Sequence, residues 1–477
     1  MEQSPSGSSP SGSSRAGSFP WPRSGSKGAD LSFVAMMSFA AATIPVAGLG
    51  VAVGVYLPRH FASHLGMSLA AVGGVFATVR LLDIVVDLVL GLAMDRTRSS
   101  WGRYRVWLVL GVPILVVAVE RLFISPAGAG AGYVLGWLLV MYLGSSILSL
   151  SHAAWGTTLV PDYAGRARLF GAMAAMGIGG SVVIFLIPIL AQAMSTPDAE
   201  LVPLMGWFLM IAAPATVLLA VAQAPERVRP DAPSHAFRMA DYWELICHPS
   251  MARIIVADLC FGLGPGWLAA TFLYLITDAR GFTLAEANLM LLVAMLAGFA
   301  GAVSISRLAI RISKHRAVVV TAIGWSASLW GLLVAPKGEL VWALVAMLSM
   351  GVFNGGMLAM VRAMTADVSD EIRFEQGKER TGLLFAITTL TTKIAGALSI
   401  YLTFTVLDHV GYNARVETAN TPATLRTLEM ASVGGPTIFV LLGAASLVGY
   451  PLTSARHDKI RRALQDRDAT LQKQAPS

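Results

Sequence analysis

Apolar residues in this chain run in long blocks separated by short polar or Gly/Pro-rich turns. Twelve blocks can be marked, at about 32–57, 69–94, 106–124, 133–157, 169–194, 203–223, 252–276, 285–309, 317–335, 340–366, 382–407 and 432–453. A run of about 20 apolar residues is long enough to cross the hydrocarbon core of a bilayer. A backbone in lipid must satisfy its own hydrogen bonds, so each block is expected to be a helix. The longest polar interruption, 224–251, follows the sixth block and divides the chain into two sets of six. The expected architecture is therefore an all-α membrane protein of twelve transmembrane helices. Its parts are a disordered tail over 1–30, a six-helix bundle over 31–223, a linker over 224–251, a second bundle over 252–455 and a tail over 456–477.

Composition agrees with the pattern. Only 13% of residues are charged and 55% are hydrophobic, where a soluble domain has about 25% charged residues. The missing polar surface must face lipid. The net charge of +7 would suit a nucleic-acid binder, but its placement argues otherwise. One alternate set of loops holds RTRSSWGRYR, GRAR, RISKHR, EIRFEQGKER and RHDKIRR, while the other holds SPAGAG, STPDAE, TDARGFT and APKGE. Lys and Arg collect on the side that stays in the cytoplasm. Both termini and the linker are thus expected to be cytoplasmic, in a protein of the cytoplasmic membrane, and no nucleic-acid partner is called for. Residues 1–30 are rich in Ser, Gly and Pro and cannot bury enough surface to order themselves. The first apolar block comes late and is longer than the roughly 7–15 residues of a signal-peptide core. Cys247 and Cys260 stand in no metal-ligand spacing.

The informative departures lie inside the blocks. A charge at the bilayer centre costs roughly 2.5–3.5 kcal/mol on insertion scales, so one that is kept there is a functional candidate. The second block carries Arg80, Asp83 and Asp87, whose spacings of three and four put them on one helix face. Two carboxylates a turn apart repel, which favours taking up a proton or binding a cation. The eleventh block carries Lys393 after Thr388, Thr389, Thr391 and Thr392, the tenth carries Arg362, and the seventh carries Asp258. A static interior ion-pair network is the plainer alternative, and buried pairs are weak evidence for stability.

Three stretches resemble one transporter family. RLLDIVVDLVLGLAMDRTRSSWGRYRVWLVLGVP, WGTTLVPDYAGRARL and TADVSDEIRFEQGKERTGLLFAITTLTTKIAGALS are similar to signatures of the glycoside–pentoside–hexuronide:cation symporters. These form the melibiose-permease-like branch of the major facilitator superfamily. The resemblance covers nearly all of the chain after residue 30 and implies the major facilitator fold, with two bundles rocking around a central cavity. It implies that Asp83 and Asp87 bind the cation, with Lys393 near them and Trp155 beside the solute. Asp95, Arg96 and Arg103, with Asp367, Asp370 and Arg380, would form a cytoplasmic gate. The chain also departs from the family's pattern. Val86 and Leu148 stand where the family has two cation-binding side chains, and Ala47, Ser151 and Met173 stand where it grips sugar with charged groups.

The expected function is a secondary active symporter, with no cofactor and no resident metal. The coupling cation is expected to be a proton, with Na⁺ as the alternative. The solute is expected to be a glycoside or related small polar molecule, with Arg80, Trp155, Ser151, Lys393 and Arg362 in binding or coupling roles. An amphipathic lysolipid is the rival substrate on the same fold. The small-molecule solute, the coupling cation and the bilayer are the expected partners of a monomer. The spans hold no HExxH, CxxC or GxSxG, so an enzyme is not expected. A sensor that has lost transport would have a neutralised cation site, and the carboxylates are present.

Overall fold

Because lipid offers no hydrogen bonds to the main chain, the apolar blocks have one stable solution, and the structure adopts it. The computed structural model describes residues 32–99, 101–126, 128–160, 163–226, 239–377, 380–414 and 420–474. The predicted tail over 1–30 lies outside these residues. Among the described residues every regular element is helical. The first set of six comprises α1 (Phe33–Ser63), α2 (Leu69–Arg96), α3 (Tyr104–Phe123), α4 (Ala131–Leu159), α5 (Tyr163–Ala193) and α6 (Leu201–Gln223). A short helix, α7 (Met239–Ile246), leads into the second set. That set comprises α8 (Pro249–Ala279), α9 (Leu284–Ile312), α10 (Lys314–Val334), α11 (Leu340–Gln376), α12 (Thr381–His409) and α13 (Pro422–Ser446). A final helix, α14 (Ser454–Gln474), follows. Eleven of these are long and apolar enough to cross a membrane. The twelfth, α2, is 28 residues long and carries the charged face.

The helices sort by packing into the two expected bundles. The bundles meet mainly through two helix pairs, α2 against α12 and α5 against α9, with the distal part of α1 also touching α8. Twelve crossings bring the start of α1 and the end of α13 to one side, called here the terminal face; the other is the distal face. Gly73 on α2 lets the pair close towards the distal face: a Cβ there would lie 3.2 Å from the Tyr401 backbone.

Three boundaries differ most from expectation. The last span is Pro422–Ser446 instead of 432–453, because Thr421 accepts a hydrogen bond from the Thr424 amide and Pro422 opens the helix. Its polar first turns are stabilised by ion pairs of Glu429 with Arg280 (3.8 Å) and Lys337 (3.5 Å). α11 runs ten residues beyond the predicted 366, ending at Gly377 with φ of 70°. The expected tail over 456–477 begins as a helix, α14, held on this overhang by Arg456 to Glu371 (2.9 Å) and His457 to Asp370 (3.0 Å). Within the linker, 227–238 lie outside the described residues. Cys247 is exposed and Cys260 buried, and both are free.

The tightest helix contact is α9 on α11, where glycines of both helices face backbone. A Cβ on Gly355 would stand 1.9 Å from the Gly298 carbonyl oxygen, whereas one on Gly331 would meet nothing within 4 Å. Backbone cannot yield as a side chain does, and overpacking costs about 1–3 kcal/mol. Gly355→Ala is expected to lower the melting temperature of the detergent-solubilised protein and Gly331→Ala to leave it unchanged. Equal melting of the two variants would refute this packing.

Candidate functional site

The charged face of α2 meets α12 halfway along both helices. Lys393 of α12 donates to Asp83 Oδ2 at 2.7 Å and also to Asp87 Oδ2. The ion pairs thus join the two bundles near the bilayer centre. Ser146 of α4 donates to the other oxygen of Asp83 at 2.9 Å. The two aspartates are not equivalent. The Asp83 side chain is 3% exposed and fully engaged, while that of Asp87 is 24% exposed and its Oδ1 has no partner. Asp87 is therefore the more exposed and less fully paired of the two, although its unpaired oxygen is itself buried. One ammonium facing two carboxylates leaves a negative charge uncompensated in the trio.

Arg80, one turn along α2, does not join the trio. Its guanidinium stacks on the Tyr142 ring at 4.7 Å, and its Nε is buried without a hydrogen bond. On the other side of Lys393, Thr392 links a second group. Arg362 of α11 donates to the Thr392 hydroxyl at 3.1 Å, and that hydroxyl donates to Asp258 of α8 at 3.4 Å. Arg362 and Asp258 thus reach the site through the residue beside Lys393.

Two of the expected substrate or coupling residues, Ser151 and Trp155, do not touch the trio. The Ser151 hydroxyl is buried and donates to the Ile147 carbonyl of its own helix at 2.6 Å. Trp155 is fully buried, edge-on to Phe39 with ring centroids 5.2 Å apart and with the Arg105 guanidinium 5.4 Å from its ring. Its neighbour His152 bonds the Phe39 carbonyl at 2.9 Å. The Trp155 Nε1 is buried without a partner.

The described contacts of the expected gate residues stay on their own side of the bundle boundary. Asp367 takes Lys314 at 2.7 Å and lies 3.6 Å from His457, and Arg380 pairs with Glu244 of α7 at 2.7 Å. Arg103 donates through Nε to the Met94 carbonyl at 3.0 Å, and Arg96 is exposed. The side chain of Asp95 lies outside the described ones. Among the described residues no ion pair joins the bundles at the terminal face.

At the distal face polar contacts do join them. Arg59 of α1 donates to Thr277 at 3.1 Å and pairs with Asp278 of α8 at 3.5 Å. The Tyr56 hydroxyl donates to Asn288 of α9. Burial and the neighbouring Asp278 keep the Tyr412 phenol protonated by raising its pKa, and it donates to Asp278. Sequence reasoning passed over this set because the predicted spans stopped at 57 and 276. Opposite charges at matching ends of the first and seventh spans were the available signal. Tyr142 and Ser146 were also missed, though their spacing of four marks one face of α4.

The comparisons with known proteins agree with this fold. The profile of the family described as MFS/sugar transport protein matches residues 38–454. The chain belongs to that family. It is a secondary transporter of the major facilitator type, an integral membrane protein and not an enzyme. It is 24% identical to the uncharacterized symporter YnaJ of Bacillus subtilis (strain 168), covering 87% of this chain and 91% of that one. It is 22% identical to the glucuronide carrier protein homolog of Escherichia coli (strain K12), over 87% and 92%. Among solved structures, the nucleoside transporter NupG superposes with a TM-score of 0.66 at 12% identity, covering 87% of this chain and 99% of that chain. That likeness supports the two-bundle fold.

Removing Lys393 would leave buried Asp83 and partly exposed Asp87 without their countercharge; breaking a fully buried pair costs about 3–5 kcal/mol, and the exposure of Asp87 lowers that. Lys393→Met is expected to melt well below the parent at pH 8. A melting temperature equal to the parent's would show that the ammonium does not hold these carboxylates.

Proposed function

We propose that the protein is a proton-coupled symporter of a glycoside or related small polar solute, working by alternating access. The reading is carried by the trio of Asp83, Asp87 and Lys393, in which one ammonium shared between the bundles leaves room for one coupling cation. A proton needs a single carboxylate oxygen that is not already hydrogen-bonded, and Asp87 Oδ1, though buried, has no partner. When the bundles rock, Lys393 and the carboxylates move relative to each other. The two carboxylates left together then repel, and proton uptake relieves that repulsion. Proton binding and bundle position are thereby linked, which is what coupling requires.

The contacts on the two faces support an assignment of state. Arg59, Thr277 and Asp278, with Tyr56 and Asn288, close the distal side, while among the described residues no ion pair joins the terminal side. If the terminal face is cytoplasmic, as the Lys and Arg distribution argues, this conformation opens inward. In the opposite state Asp367 and Asp370 would leave Lys314 and His457 and close the terminal side with Arg96, Arg103 and Arg380. The choice of a polar solute rests on relatives, among them a glucuronide carrier homolog. Sodium is the second reading. The Ser146 hydroxyl and the free oxygen of Asp87 would start its shell, but Val86 and Leu148 supply no further oxygen from their side chains.

In proteoliposomes, uptake is expected to follow a pH gradient, to collapse with a protonophore and to ignore replacement of Na⁺ by choline. A Na⁺ requirement would overturn proton coupling. Asp87→Asn is expected to lose accumulation yet keep counterflow exchange, since exchange needs only a cavity that opens to both sides. Survival of accumulation in Asp87→Asn would remove Asp87 from the coupling site.

A further inference from the structure

α14 takes no part in the transport site, yet it holds residues expected to gate the terminal face. Asp367, Asp370 and Glu371 lie on one side of the α11 overhang, since spacings of three and four return to the same side of a helix. α14 answers all three. His457 lies 3.0 Å from Asp370 and 3.6 Å from Asp367. Among the described residues Asp370 has no other ion-pair partner. Arg456 pairs with Glu371 at 2.9 Å, and the Glu371 side chain is 1% exposed. Arg467 adds a hydrogen bond to the Arg373 carbonyl at 3.2 Å. The apolar part of the grip is small. Ile460 and Leu464 are the buried apolar side chains of α14 among the described residues, and the helix packs chiefly on α11. An element held by two apolar side chains and a few partly exposed polar pairs belongs to the low-stability end of a structure, from which moving parts are drawn.

We infer that α14 is an intramolecular latch that favours the open terminal face by occupying the gate carboxylates. Closing that face requires acids of α11 to reach bases of the first bundle. A carboxylate that serves His457 cannot serve an arginine across the boundary at the same time. Docking of α14 and closure of the terminal face therefore compete for Asp370, and in part for Asp367. A group that binds one state better than the other shifts the population towards that state, and a tethered helix obeys the same rule. The pairs of α14 with Asp370 and Asp367 are partly exposed, so the bias is modest: the latch tunes the resting conformation and does not block the cycle. The inference rests on the inward-open, alternating-access reading given above, and it is independent of which cation drives transport.

The test uses the full-length protein in nanodiscs, without solute, spin-labelled at Arg98→Cys and Arg311→Cys in a Cys247→Ser background. Both labelled positions are exposed at the terminal face, one on each bundle. Double electron–electron resonance then reads a long distance when that face is open and a short one when it is closed. The parent is expected to be mainly long. His457→Ala should raise the ratio of short to long roughly two- to fivefold, the range for a partly exposed ion pair. Leu464→Asp, which puts a charge into the apolar docking contact, should raise it at least as far. Arg462→Gln removes an exposed charge from the same helix and should leave the ratio unchanged. Adding Asp370→Asn to His457→Ala should cancel most of the gain, because the freed carboxylate is what closes the face; simple loosening of the helix would not be cancelled. The readout needs no ion gradient, so it is separate from proton coupling, whose own failure shows as a Na⁺ requirement. An unchanged ratio in both His457→Ala and Leu464→Asp, an equal rise in Arg462→Gln, or a gain undiminished by Asp370→Asn would each overturn the latch.

Discussion

The structure depends on a conflict between charge and lipid at one point. Three charged side chains sit halfway through a bilayer, where each alone is costly, and they are tolerable because Lys393 sits between Asp83 and Asp87. That arrangement needs both bundles, since the carboxylates belong to α2 and the ammonium to α12. The α2–α12 interface is therefore both a packing surface and an electrostatic joint. Gly73 brings the distal halves of these helices together, and Ser146 completes the environment of the more deeply buried aspartate. Separating the bundles at this level removes the countercharge from a buried pair, so the charges resist uncompensated opening.

The fold was legible because its cause is local. Each span follows from its own run of apolar residues, and the alternation of basic loops follows from the order of the spans. Boundaries failed where polar residues lay inside helices. The polar start of α13 is held by Thr421, Pro422 and Glu429, and the acidic end of α11 is answered by α14. Hydropathy alone cannot see either partnership.

The site was legible in part. Spacing placed Asp83 and Asp87 on one face, but nothing in the α2 sequence says which helix that face meets. Lys393 lies 306 positions after Asp87 and was joined to it by family resemblance. Ser151 illustrates the limit of that reasoning. It shares a helix with Ser146 but lies five residues away, roughly 140° round the axis, so one serine reaches the carboxylate and the other bonds its own turn. Arg59 and Asp278 were hidden because they fell just beyond the predicted spans.

The distal contacts depend on a feature common to both bundles. The first helix of each carries a π-helical segment near its distal end, Ala52–Tyr56 in α1 and Leu275–Ala279 in α8. A π-bulge inserts one residue into a helical turn. Everything beyond it is turned by roughly 100° from where a regular helix would have put it. Arg59, beyond the first segment, is oriented by its phase shift, and Asp278 lies within the second. Matching irregularities in equivalent helices also suggest common ancestry: a chain built by duplicating one bundle inherits the same defect twice. Mutation could then give one copy an arginine and the other an aspartate, turning a shared flaw into a complementary pair.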